Sequence, residues 1–293
     1  MSQYSGSKVV LFVVPALIWG STWYVIKFQL GQVDPLWSVS YRFFLAGLIL
    51  LAYALIRKIN LKFTLVEHAR MALQGVLLFG VNYWLVYEAE EELTSALVAV
   101  AFSTIIFFNI FFGTIFLGKK TVRKVFLGAG LGLAGTFALF YNDLTGVHYE
   151  TIPVYSVAVL VLSVVFASLG NVTSASNQSK GIPVLQANGF GMIYGALGMA
   201  LIAVFSGIAP TFNVQSEYVF SLLYLSVFGS ITAFGAYLTL IGQIGPDRAA
   251  YVLITIPVTA LVISVLLEGY ALNVWSIGGI SLILLSNLIV LRK

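Results

Sequence analysis

The chain alternates long apolar runs with short polar connectors, and the runs have the length of a lipid bilayer. About 20 apolar residues cross a bilayer core, with a range of about 17–25. Ten such runs stand out: Val9–Ile26, Leu36–Ile56, Met71–Tyr87, Leu93–Leu117, Val125–Tyr141, Val154–Ser174, Val184–Phe205, Val219–Ile241, Ala249–Leu267 and Val274–Leu291. Nine of them hold no Asp, Glu, Lys or Arg, and the second carries Arg42. Stretches such as Leu97–Leu117 show none of the period-two alternation of a transmembrane β-strand. The pattern predicts an all-α membrane protein of ten transmembrane helices.

Composition sharpens this. Of 293 residues, 60% are hydrophobic and 9% charged, against roughly 25% charged in soluble domains. So apolar a chain cannot cover a globular surface with polar groups, and lipid has to be its solvent. A net charge of +4 could suggest nucleic acid, but the basic residues are scattered between apolar runs, so no nucleic-acid partner is expected. Cysteine is absent, which excludes disulfides and thiolate chemistry. The two histidines, His68 and His148, fall in expected loops.

The basic residues also orient the chain. With ten spans and a cytoplasmic N-terminus, thirteen of the fifteen Lys and Arg lie in cytoplasmic segments; the others are Lys27 and Arg42. The connectors after spans three, five, seven and nine hold none. This positive-inside pattern places both termini in the cytoplasm. The opening MSQYSGSKVVLFVV has one Lys before its apolar run and no clean cleavage site, so it is expected to remain as the first span. The expected location is the cell inner membrane, as a multi-pass protein.

The two halves resemble each other. Ile18–Pro35 and Val165–Pro183 both place a small-residue break mid-helix, then a short connector ending in Pro. The segments Leu117–Leu139 and Leu267–Leu291 match at the ends of the halves. Five spans per half is an odd number, so the second copy enters from the opposite side. The expected organisation is two inverted five-helix repeats, residues 1–142 and 151–293, as in carriers that alternate access around a central site.

Several of these segments together carry a family resemblance: IWGSTWYVIKF at Ile18–Phe28, the stretch from Asp34-Pro35 to Arg42, and the segments Leu117–Thr136 and Pro257–Leu282. Over nearly its whole length the chain resembles the EamA family of the drug/metabolite transporter superfamily. The resemblance implies a central cavity lined by spans one to four and six to nine, with spans five and ten peripheral. It implies movement of small metabolites, often export of amino acids or related compounds. The chain departs from the family pattern at Lys119, where an acidic residue is usual, while Glu268 keeps it in the second half. The first half also lacks a counterpart of Pro257, and the connector Glu88–Leu93 is unusually acidic.

Polar residues within spans are the candidate substrate contacts, because a polar group in a bilayer is costly and serves packing or function. Arg42 could anchor a carboxylate or phosphate through its paired donors; equally, it could snorkel to the headgroups or pair with Asp34. Trp19 sits too deep for an interfacial aromatic belt, whereas Tyr24 suits one. Trp19, Ser21 and Asn171 are candidates for the cavity, with close packing of the first span on the sixth as the alternative. Asn82, Tyr83 and Tyr87 on the third span, Asn188 and Tyr194 on the seventh, Tyr237 on the eighth and Tyr251 on the ninth could bind polar substrates or bond between helices. Pro257 removes a backbone donor and can free a carbonyl. The glycine-rich segments Gly128–Thr136 and Gly278–Ser286 suit tight packing or a dimer contact, so a monomer or homodimer is expected. Glu88, Glu90, Glu91 and Glu92 are expected to form a solvated helix end, or a vestibule attracting cations.

No catalytic or metal-ligating constellation is found, no cofactor is expected, and no phosphate-cradling GxxxxGK[ST] loop is present. Transport of a small-molecule substrate through the lipid bilayer is the leading reading, with amino acids first. A sugar-nucleotide or lipid-linked substrate is the alternative, and a membrane enzyme or sensor the non-transport rival.

Overall fold

The computed structural model describes residues 5–31, 33–93, 95–120, 122–145, 153–267 and 273–291. Every regular element among them is helical, as a chain solvated by lipid requires of its backbone hydrogen bonds. Helices α1 (Ser5–Ile26) and α2 (Pro35–Ile56) come first. Helices α3 (Leu65–Gly75) and α4 (Asn82–Glu90) are joined by a π-helical segment, Val76–Val81. Then follow α5 (Ser95–Ser103), α6 (Ile105–Leu117), α7 (Arg123–Leu139) and the short α8 (Tyr141–Thr145). The second half has α9 (Val154–Ser179) and α10 (Val184–Phe205). Next, α11 (Ser216–Tyr224) and α12 (Ala233–Ile244) flank a second π-helical segment, Leu225–Thr232. The chain continues through α13 (Pro246–Ala249), α14 (Tyr251–Leu267) and α15 (Val274–Leu291). Among the described residues, seven helical stretches are long and apolar enough to cross a membrane; α7, α14 and α15 are shorter apolar helices.

Local signals set the helix ends. Asp34 accepts a hydrogen bond from the Leu36 amide at 2.9 Å and Pro35 opens α2, a favourable cap. Asp34 therefore serves the helix start. Thr64 and Glu67 form a capping box at α3. Gly118 ends α6 with φ +63°, a conformation that suits glycine.

Three expectations are corrected. The small residues of spans one and six do not break them: α1 and α9 are continuous. Span three begins at Leu65 and ends at Glu90, so His68 lies on α3 and Glu88 and Glu90 lie on α4. Span four is two helices that meet at Thr104. Pro257 lies inside α14. His148 and Glu268 lie outside the described residues.

Packing follows one scheme. Helix α2 lies along α10, and α7 along α15. Helix α1 packs on α14 while α6 packs on α9. The α11–α12 rod packs on α1 and on α2, and the α3–α4 rod packs on α9 and on α10. The two π-helical segments fall in the third rod of each half. Glycines set the closest approaches: a Cβ on Gly279 would lie 2.5 Å from the Leu139 amide nitrogen, and one on Gly135 would lie 2.9 Å from the Gly279 carbonyl oxygen. The glycine-rich segments thus bring α7 and α15 together within one chain, as small residues do between membrane helices.

Candidate functional site

Between the two halves lies a cavity of about 70 Å³, room for a few water molecules. Its walls come from α1, the α3–α4 rod, α5, α6, α9, α12 and α14. Helices α2 and α10, which the family resemblance placed on the wall, contribute no lining residue among those described; they pack on each other instead.

The α1 wall is set by Trp19. Its indole N–H donates to the Gly229 carbonyl at 3.0 Å, in the π-helical segment before α12. The ring meets Phe234 and Tyr237 edge-on, with centroids 4.9 and 5.2 Å apart. One buried aromatic thus has both its polar and its apolar parts engaged. Opposite, Asn171 on α9 donates to the Tyr237 hydroxyl at 3.2 Å, and Asn82 donates to the Leu78 carbonyl at 3.2 Å. The side-chain carbonyl oxygens of Asn82 and Asn171 are buried and have no hydrogen-bond partner among the described residues. The apolar cavity therefore presents two free acceptors, and buried acceptors of this kind call for a partner.

Arg42 lies just behind this wall. It is fully buried, with its guanidinium carbon 4.6 Å from the centroid of the Tyr83 ring and 5.1 Å from that of Phe43. Its Nε donates to the Ser230 hydroxyl at 3.0 Å. Ser230 in turn donates to the Leu225 carbonyl five residues back, which leaves its oxygen lone pairs to face Arg42. Both terminal nitrogens of Arg42 lack a hydrogen-bond partner among the described residues. The Tyr83 and Tyr87 side chains are its nearest hydrogen-bonding neighbours, and a buried guanidinium short of well-placed acceptors is costly. Tyr83 separates this group from the cavity by one ring, since it lines the cavity and lies under Arg42.

Of the residues singled out from sequence, Trp19, Asn82, Tyr83, Asn171 and Tyr237 line the cavity, and Arg42 adjoins it. Tyr87 is buried one turn on, donating to Gln29 Oε1 at 2.8 Å. The other residues sit elsewhere. Ser21 packs toward α11 rather than the sixth span: it bonds the Tyr224 hydroxyl at 2.7 Å. Tyr24 is 48% exposed against Phe28. Asn188 accepts from Gln74, which accepts from Asn177, tying α10, α3 and α9 together. Tyr194 shares a hydrogen bond with His68. Tyr251 donates to the Val125 carbonyl and joins α14 to α7. Pro257 is buried next to the lining residue Ile256, and its missing N–H leaves the carbonyl of Leu253, another lining residue, without its helical donor.

Sequence reasoning missed Gln29 and read Glu90 only as one of four glutamates in a solvated end or vestibule. Gln29 is fully buried beyond the end of α1, and its Nε2 has no partner among the described residues. The acidic cluster is not one solvated end. Glu88 accepts from the Trp84 indole, Glu92 from the Ser156 hydroxyl, and Glu91 is exposed. Partial burial, then the charges of Glu88, Asp34 and Glu92, hold the Glu91 carboxyl above the usual carboxylate range. Glu90 instead has a buried carboxylate oxygen, Oε1, with no partner among the described residues. Its sequence signal was position: Tyr83, Tyr87 and Glu90 are four and three residues apart and share one helix face.

The chain matches the EamA-like transporter family over residues 6–141 and 154–292. It is 30% identical over 259 residues to the protein named "Uncharacterized inner membrane transporter YedA" from Escherichia coli strain K12, covering 88% of this chain and 81% of that one. Protein PagO from Salmonella typhimurium is 23% identical, with 91% and 87% covered. The "Probable amino-acid metabolite efflux pump" of Salmonella typhimurium is 23% identical, with 97% and 93% covered. A crystal structure 18% identical in sequence superposes with a TM-score of 0.79, covering 97% of this chain and 96% of that one, which establishes a shared fold.

Proposed function

The chain belongs to the EamA-like transporter family and is a multi-pass membrane transporter rather than an enzyme, and from that premise we propose that it carries amino acids or related small metabolites bearing an anionic group. The observation that carries this reading is the buried Arg42 guanidinium, whose terminal nitrogens have no hydrogen-bond partner among the described residues, set beside a small central cavity between the halves. A planar donor fork matches a carboxylate, and the free amide oxygens of Asn82 and Asn171 suit the donors of a polar substrate. The name of the Salmonella efflux pump, a relative, agrees with this class.

All ten apolar rods are taken to cross the membrane as two inverted repeats, residues 1–142 and 151–293, with both termini cytoplasmic. The exchange of rods in the packing supports this: swapping first with sixth, second with seventh, and so on, converts the α1–α14 contact into α9–α6, and the packing of the α3–α4 rod on α10 and α9 into that of the α11–α12 rod on α2 and α1. The positive-inside pattern supports the orientation. The two halves rock about the cavity and open it to each side in turn. The cell inner membrane is the proposed location, following the YedA relative.

The test is flux of a panel of radiolabelled amino acids into proteoliposomes containing the purified protein. Saturable flux for at least one amino acid, absent from empty liposomes, is the expected result. If none moves, the amino-acid reading falls and phosphate-bearing substrates, which Arg42 also fits, take its place.

A further inference from the structure

We propose that Glu90 is the point at which a proton and the ammonium group of a zwitterionic substrate compete, so that the carrier exchanges substrate for protons; this rests on the transporter reading above and assigns its coupling residue. Glu90, Arg42 and Gln29 lie in one neighbourhood. Tyr87 links them: its hydroxyl donates to Gln29, and both Arg42 and Glu90 act on it electrostatically. Tyr83, which lines the cavity, feels the same two groups. The unpartnered atoms there are complementary in kind. Arg42 and Gln29 offer donors, and Glu90 Oε1 offers an acceptor with negative charge. Most buried polar atoms in proteins have partners. Here free donors and a free charged acceptor surround Tyr87, and an α-amino acid carries the matching carboxylate and ammonium.

The surrounding charges leave Glu90 as the group that can titrate. The cations acting on it are Lys27, beyond the end of α1, and Arg42 on α2. Arginine keeps its proton in proteins. Helices α5 and α9, which pack against α4, contain no charged residue. On its own rod and just beyond, Glu88 is engaged by Trp84, Glu92 by Ser156, and Glu91 is exposed. The exchange balances simply. Glu90 as carboxylate holds the substrate ammonium on one side of the membrane. After release on the other side it takes one proton from water, returns, and gives that proton up to the first side. One proton moves for each substrate, in the opposite direction.

Two measurements on wild type and Glu90→Gln test this. Infrared difference spectra of the reconstituted protein between about pH 5 and about pH 9 should show a protonated-carboxyl band in the wild type. In Glu90→Gln that band should be smaller by one carboxyl, with Glu91 among the groups that remain. No difference between the two proteins would overturn the proposal whatever the substrate. Second, proteoliposomes with an interior one pH unit more acidic should accumulate the transported amino acid up to about tenfold, the limit for one proton per substrate. In Glu90→Gln that accumulation should vanish, and whatever counterflow remains at equal pH should be weaker and no longer vary with pH. Equal accumulation in both proteins would overturn the proposal. If the band titrates and no amino acid moves, the ammonium half is overturned along with the substrate reading, and Glu90 stands as a proton site alone.

Discussion

Arg42→Ala should lower amino-acid flux at sub-saturating concentration by about 30-fold or more, while leaving the purified protein's thermal unfolding close to that of the wild type. Flux falls because the substrate anion loses its charged donors, and a hydrogen bond to a charged group contributes about 2 kcal/mol, or about 30-fold. Stability changes less than flux because, beyond its stacking on Tyr83 and Phe43, Arg42 makes few bonds. Its single side-chain bond goes to Ser230, which remains bonded to Leu225, and Ser226 bonds the backbone carbonyl of residue 42, which the substitution leaves in place. Removing a buried cation also relieves a desolvation cost. Arg42→Lys should fall between the two proteins, since lysine keeps the charge but not the fork. Flux and saturation curves for the three proteins, beside their melting curves, decide the matter. A large drop in melting temperature that tracks the loss of flux would make Arg42 a structural residue and remove it from the substrate site.

Whether a feature was visible in the sequence depended on how much of the chain it needed. Spans are visible because the bilayer imposes the same demand on 20 consecutive residues, and runs such as Val184–Phe205 became helices with their expected ends. Trp19, Asn82, Asn171 and Tyr237 could be picked out because polar and aromatic atoms within a span have few reasons to be there. Where the choice was between cavity and helix packing, residue type alone could not decide. Asn171 and Asn188 look alike in sequence, yet one faces the cavity and the other a Gln74–Asn177 network. The π-helical segments had no marker, because nothing in VLLFGV or LSVFGSIT forbids an ordinary α-turn. The expected breaks in spans one and six failed for the opposite reason. Glycine and serine are tolerated inside a helix at a cost of about 1 kcal/mol or less each, and packing outweighs it. Glu90 was hidden by its neighbours: four glutamates within five residues read as one solvated surface, although helical geometry sends only some of them outward.

Gly75→Val should be the most damaging small substitution in the chain, and its damage should reach the cavity. Gly75 closes α3 where it meets α10. A Cβ there would lie 2.6 Å from the carbonyl carbon of Gly191 and 2.8 Å from its Cα, closer still to its carbonyl oxygen. Those are backbone atoms, so no rotamer change relieves the overlap. The same face of α10 continues at Gly195, whose Cβ would lie 2.6 Å from the Gly75 carbonyl oxygen. Gly191 and Gly195 are four residues apart, the spacing that lets two membrane helices touch backbone to backbone. Adding a branched side chain must push the α3–α4 rod off α10, at a cost of at least about 2 kcal/mol, or a melting temperature roughly 5 °C lower. The same rod carries Asn82, Tyr83, Tyr87 and Glu90, so displacing it moves the cavity wall and the polar groups behind it together. Flux should therefore fall further than the stability loss alone explains, and Gly75→Ala should lie between Gly75→Val and wild type. Gly130→Val supplies the control, because no atom lies within 4 Å of the Cβ it would add on α7; it should change neither melting nor flux. If Gly75→Val behaved like Gly130→Val, the α3–α10 contact would not be the close backbone approach on which the position of the cavity depends.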